Sequence, residues 1–163
     1  MKRILPMILA LIMTMGLAGC GGKGENDAPA LYGVHHVEAM VQAGAFSEEL
    51  DDVDNDTAFL LYRFADYGLA REDLKDCAVL RSAGATCEEG AVLVFAGADK
   101  AEKAESALKD YIRGQIEANE DYRPAEIPKL EDALVDRRGE SLLLVVASDL
   151  DAAKKAVESG PPV

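Results

Sequence analysis

Ala91-Val92-Leu93-Val94-Phe95-Ala96 is an unbroken apolar run, and Leu142-Leu143-Leu144-Val145-Val146-Ala147 is a second one. A strand that is apolar at every position needs cover on both faces, so both runs belong at the centre of a sheet. Each is preceded by a short mixed strand, residues 78–82 and 133–136, which suits a sheet edge. Residues 83–90 form the loop of the first pair, and Arg137-Arg138-Gly139-Glu140 forms the turn of the second. Each pair is followed by a helix. Asp99 opens a long one with an apolar stripe at Ala104, Ala107, Leu108, Tyr111, Ile112 and Ile116. Asp149 caps a shorter one, with Leu150, Ala153 and Val157 facing inward. Between the units, residues 122–128 are held extended by Pro124 and Pro128.

The order is therefore strand, strand, helix, twice over, a possible internal repeat. It predicts an α+β fold with a four-stranded, largely antiparallel sheet whose two following helices cover one face. The second face also needs cover, from additional N-terminal helices or from a partner protein. Residues 35–46 carry Val37, Met40 and Val41 at helical spacing. Residues 57–64 form a second helix, capped by Asp56 and stopped at Tyr67-Gly68-Leu69.

The N-terminus has a different logic. Lys2 and Arg3 precede an apolar stretch over residues 4–15, then Leu17-Ala18-Gly19-Cys20 and a glycine-rich polar run to Asp27. That order reads as a secretory signal ending in a lipobox, with Cys20 acylated and first in the mature chain. A spanning helix needs roughly 20 apolar residues, and this run is shorter and interrupted by Pro6. The chain divides into a signal peptide over residues 1–19, a lipidated cysteine and tether over residues 20–32, and one globular domain over residues 33–163. A glycine-rich tether of this length reaches roughly 20 Å, placing the domain close to the outer side of the cell membrane. More than one acyl chain on Cys20 would make that anchoring stable.

Acidic residues outnumber basic ones by 30 to 17, and loss of Lys2 and Arg3 lowers the formal net charge from −13 to −15. Nucleic acid, which demands clustered Lys and Arg, is excluded as a partner, and electrostatic docking on anionic lipid is disfavoured. The expected partners are the membrane, through the anchor, and an envelope protein or small ligand. With Cys20 acylated, Cys77 and Cys87 remain, and export permits a disulfide between them. Whether they pair depends on how the first hairpin is registered.

Chemistry-bearing motifs are few. Asp52, Asp54 and Asp56 match the first, third and fifth positions of a calcium loop, but Thr57 stands where glycine is needed and Arg63 where glutamate is needed. His35 and His36 are adjacent and share no ligand face on a helix, which makes them surface residues rather than a metal pair. No nucleophile elbow, phosphate loop or cysteine–histidine cluster occurs, so no catalytic residue, metal site or cofactor is assigned. The leading expectation is a non-catalytic, membrane-anchored interaction or ligand-binding domain. The rival is a small extracytoplasmic hydrolase using carboxylates such as Glu88, Glu89 or Glu126.

Several segments carry a family likeness in order and spacing. They are Phe59-Leu60-Leu61-Tyr62, Tyr67-Gly68-Leu69, Glu89-Gly90-Ala91-Val92, the helix bearing Ala107, Leu108 and Gln115, Tyr122-Arg123-Pro124-Ala125-Glu126, and Leu130-Glu131-Asp132-Ala133 with Gly139. Over residues 35–158 the chain resembles clostridial and bacillar lipoproteins catalogued as domain of unknown function 4358. Ser141 departs from the aromatic residue common after the turn glycine, and the Cys77 and Cys87 couple is not a shared hallmark. The resemblance implies a lipoprotein domain and leaves its activity open.

Overall fold

The computed structural model describes residues 30–160. The signal peptide, Cys20 and most of the tether lie outside the described residues. In chain order the elements are α1 (His35–Gln42), β1 (Asp51–Asp52), α2 (Asn55–Leu61), β2 (Leu74–Arg81), β3 (Glu89–Phe95), α3 (Ala98–Asn119), α4 (Ile127–Glu131), β4 (Leu134–Arg138), β5 (Ser141–Val146) and α5 (Leu150–Ser159). Short 3-10 turns occupy Phe64–Tyr67, Arg71–Asp73 and Pro124–Glu126.

The sheet has five strands, not four, in the order β1-β2-β3-β5-β4, and every pairing is antiparallel. The additional strand is the two-residue β1, paired with Leu80 and Arg81 at the outer edge of β2. Its acidic sequence carries no strand pattern, because its pairing comes entirely from the neighbour. The two apolar runs are central as expected, with β3 and β5 in direct register from Glu89 opposite Val146 to Val94 opposite Ser141.

Alternation along these strands builds two cores. Val79, Ala91, Leu93, Phe95, Leu142 and Leu144 point to the face covered by α2, α3 and α4. Val92, Leu143 and Val145 point to the other, where Val37 and Met40 of α1 meet Ala153 and Val157 of α5. The helices that follow the hairpins thus take opposite faces, which corrects the single-face expectation. The physical reason is that β3 and β5 run antiparallel and release their helices at opposite ends of the sheet. The 22-residue α3 already covers one face along its length, and α5 fills the space beside α1 on the other.

Smaller corrections have local causes. Asp54, not Asp56, caps α2, its carboxylate accepting from the amides of Asp56 and Thr57. Residues 122–128 are not extended: Pro124 starts a 3-10 turn and Pro128 sits in the first turn of α4, where a missing N–H costs nothing. Tyr32, at the end of the expected tether, is already in the fold, 3% exposed, with the Arg138 guanidinium 4.3 Å from its ring centre. Among the described residues no helix is long and apolar enough to cross a membrane.

Candidate functional site

The stripe that seats α3 on the sheet is made largely of alanine, namely Ala101, Ala104 and Ala107 with Leu108 and Ile112. On the flank of that stripe, Ala107, Tyr111, Gly114 and Gln115 follow helical spacing and face the 3-10 turn Phe64–Tyr67 across a gap. The gap is an open cleft of about 540 Å³, within the range of small-molecule sites. Leu61, Tyr62, Arg63, Asp66 and Tyr67 form its opposite wall.

Behind the cleft wall, bonded to its two tyrosines Tyr62 and Tyr111, lies a buried carboxylate. Glu89, 2% exposed, accepts from the Tyr62 hydroxyl at 2.6 Å on Oε1 and from the Tyr111 hydroxyl at 2.7 Å on Oε2. Arg81 Nε closes the group at 3.2 Å from Oε2. The Tyr62 and Tyr111 rings meet edge to face at 5.1 Å. Burial pushes the Glu89 carboxyl up, against the lowering effect of its three donors, and burial beside Glu89 pushes both tyrosine hydroxyls up. The tyrosines are therefore hydrogen-bond donors at any ordinary pH.

The rim is held in place. The Tyr67 hydroxyl donates to Asp110 Oδ2 at 2.5 Å, joining the two walls. Asp110 also pairs with Arg113 at 2.7 Å, and Asp66 with Arg63 at 2.6 Å. Arg63 has φ 55°, a left-handed conformation that costs a side-chain-bearing residue on the order of 1 kcal/mol. Gly114 sits mid-helix with nothing within 4 Å of where a Cβ would be, so the cleft runs up to the backbone of α3.

Beside the cleft, sharing Gln115 with it, is a polar hollow of about 170 Å³ beneath the β2–β3 loop, walled by Arg81, Ser82, Gly84, Cys87 and Arg123. The loop is tied down from within and from α3. Ser82 Oγ accepts from the amides of Gly84 and Thr86 at 3.1 and 3.0 Å. Arg123 Nη1 donates to the carbonyls of Gly84 and Thr86 at 2.8 and 3.0 Å, and its Nε to Asn119 at 2.8 Å.

The other sequence candidates disperse. Glu88 is fully buried on the opposite side of the sheet from Glu89; Ser47 donates to it through N and Oγ, Ser148 through its hydroxyl, and Lys129 lies 3.5 Å away. Glu126 accepts the Cys87 amide at 2.9 Å and pairs with Lys129 at 3.2 Å. Glu88 and Glu126 thus share Lys129, while Glu89 stands apart with its own donors, so the three glutamates do not form one cluster. Asp52 lies in β1, Asp54 caps α2, and Asp56 pairs with Arg71 at 2.5 Å, so the three aspartates do not converge. His36 is not a surface residue: it is 3% exposed and its Nδ1 accepts the Gly33 amide at 2.9 Å. Among the described residues no group of three or more His, Cys, Asp or Glu side chains could hold a metal ion.

Cys77 and Cys87 are free thiols, not a disulfide. Cys77 stands opposite Leu93, whereas Cys87 lies in the loop beyond the Arg81–Glu89 pair. Four strand steps at roughly 3.3 Å each separate Cys77 from the Arg81–Glu89 pair, beyond which Cys87 lies, more than the span of a disulfide. Burial pushes the Cys77 thiol up to about 11.

Sequence reading missed Tyr62, Tyr111, Arg81 and Arg123 as a group, because they come from four separate elements. Only the out-of-place glutamate at the start of an apolar strand signalled the site. Comparison with known proteins gives one match, between residues 62–147 and the family model described as Domain of unknown function (DUF4358). That span includes every residue lining the hollow and all those lining the cleft except Leu61. No curated protein and no solved structure matches the chain.

Proposed function

We propose, from the premise that this chain belongs to the DUF4358 family of domains of unknown function, that it is a lipid-anchored, extracytoplasmic binding protein that takes a small ligand in the cleft beside α3. The anchor rests on the order of residues from Lys2 to Asp27, with Cys20 as the acylated thiol. The binding role rests on one observation: a preformed cleft of about 540 Å³ whose polar walls are fixed by internal hydrogen bonds before any ligand arrives. Such preorganisation spares the ligand the cost of ordering the site.

A hydrolase built on Glu88, Glu89 or Glu126 gains no support from the geometry. None of the three lines the cleft; Glu89 lies behind its wall with both oxygens engaged by Tyr62, Tyr111 and Arg81, and Glu88, at the hollow, is engaged by Ser47, Ser148 and Lys129. A general acid or base needs an oxygen within reach of substrate.

The test is a thermal-shift panel of monosaccharides, amino acids and dipeptides, run on the full mature chain carrying Cys20→Ser. At least one class should raise the melting temperature, and Gly114→Leu, which sends a side chain into the cleft from a position where a Cβ has open space, should abolish that rise. No shift from any class, or a shift that survives Gly114→Leu, would overturn the reading.

A further inference from the structure

The cleft and the hollow differ in charge, and Gln115 stands between them. Within the cleft, Asp66 and Asp110 are each matched by an arginine, at 2.6 and 2.7 Å. The hollow has two guanidinium groups, in a chain where acidic residues outnumber basic ones by 30 to 17: Arg81, and Arg123, whose Nε and Nη1 donate to neutral acceptors (Asn119 and the Gly84 and Thr86 carbonyls) that leave its charge uncompensated. The carboxylates near it are already engaged: Glu88 by Ser47, Ser148 and Lys129, and Glu126 by Lys129 and the Cys87 amide. Arg81 bonds the sealed Glu89, yet its side chain keeps 37% of its exposure while Glu89 keeps 3%. Its guanidinium therefore reaches from the buried Glu89 towards the hollow and solvent.

We propose that the hollow is the anion-binding end of the cleft, and that the ligand is a small sugar acid or sugar phosphate. Its oxyanion would lie between Arg81 and Arg123, and its hydroxylated ring in the cleft beside Tyr111. This inference rests on the cleft being the binding site. Guanidinium forks match planar or tetrahedral oxyanions, and a hollow of about 170 Å³ suits a single such group. The cleft suits a sugar ring because its walls mix hydrogen-bonding groups (Arg63, Asp66, Asp110, Gln115) with the small apolar surfaces of Leu61 and Ala107. The open backbone at Gly114 lets a ring approach α3 closely. The raised Glu89 carboxyl agrees with this arrangement, since a carboxyl inclined towards its neutral form offsets less of the Arg81 charge.

The probes are glucose, glucuronate and glucose 6-phosphate, which share a ring and differ in charge. Each is titrated into the full mature chain carrying Cys20→Ser, followed by the NMR signals of the Gly114 amide and the Gln115 side-chain amide. One or both acids should bind about tenfold tighter than glucose, the preference falling with added salt. Whichever acid binds tighter identifies the oxyanion as carboxylate or phosphate. Gln115→Glu, which sets a carboxylate between the compartments, should bring the acid-to-glucose ratio towards one, and Arg123→Lys, which keeps the charge but loses the fork, should lower it. Equal affinity for the three sugars, with binding still lost in Gly114→Leu, would overturn the anion site and leave the cleft reading standing. A preference that survives both variants would also overturn it. Absence of binding by all three sugars, while amino acids or dipeptides still require an open Gly114, would overturn the ligand class alone.

Discussion

Glu88 and Glu89 are consecutive, and a strand sends consecutive side chains to opposite faces, so one backbone step gives them opposite titration behaviour. Burial pushes Glu89 up despite donors on both oxygens. A carboxyl raised in the fold holds its proton better there, so its contribution is greatest at low pH and declines as pH rises through the folded value. Burial also opposes ionisation of Glu88, but the hydrogen bonds from Ser148 and Ser47 and the charge of Lys129 outweigh it and hold the carboxyl down. Its contribution is complete above the unfolded value and is lost as pH falls through the folded one. The stability of wild type relative to Glu89→Gln should therefore decline as pH rises above the ordinary glutamate range in urea unfolding. Relative to Glu88→Gln, wild type should be more stable by about 1.5–3 kcal/mol near neutrality, the gap narrowing as pH falls below the ordinary glutamate range. The same slope for both variants would refute the assignment of the two environments. Little of this was legible in the sequence, since Glu-Glu before an apolar run does not say which donors await on each face. Those donors come from Ser47, Tyr62, Tyr111 and Ser148, far away in the chain.

The elements whose burial is local were legible, and those defined by a neighbour were not. The strands β3 and β5 announce themselves because every position is apolar, and α3 because its stripe recurs at helical spacing. The strand β1 is two exposed aspartates whose conformation comes from β2, and α4 starts among prolines that also read as extended chain. Two glycines test the packing of legible elements in opposite directions. A Cβ at Gly90 would lie 2.7 Å from Phe46 Cζ, inside the sheet's covered face. Gly90→Ala should thus cost about 1–3 kcal/mol through overpacking. At Gly114 nothing crowds the added atom and the residue is mid-helix, so Gly114→Ala should stabilise α3 by about 1 kcal/mol. Thermal melts would measure both. If Gly90→Ala proved neutral, Phe46 would have room to move; if Gly114→Ala destabilised, the helix backbone there would depart from ordinary α geometry.

At the scale of the whole molecule, the chain's own helices pack on both faces of the sheet, α2, α3 and α4 on one and α1 and α5 on the other. Its uncovered edges are blunted by charge: Lys75 and Asp76 on β2, and Asp136, Arg137 and Arg138 on β4. Among the described residues the large apolar side chains that remain exposed are the separated Val41, Leu60 and Tyr122, of which Val41 borders an open apolar groove between α1 and β2. A globule of formal charge near −15 is repelled by anionic headgroups. On the proposed reading, membrane attachment must then come from the acyl chains on Cys20 and not from the domain. Chain burial is a hydrophobic term that added salt does not weaken, whereas headgroup attraction falls as the screening length shrinks. The wild-type protein should therefore stay with sedimented membranes through a wash at about 1 M salt, where the screening length is about 3 Å. Cys20→Ser should move to the soluble fraction at low salt as well. Release of wild type by salt would mean that ionic contacts hold it, and retention of folded Cys20→Ser would mean that a surface of the domain does, either of which would remove the acyl anchor from the account.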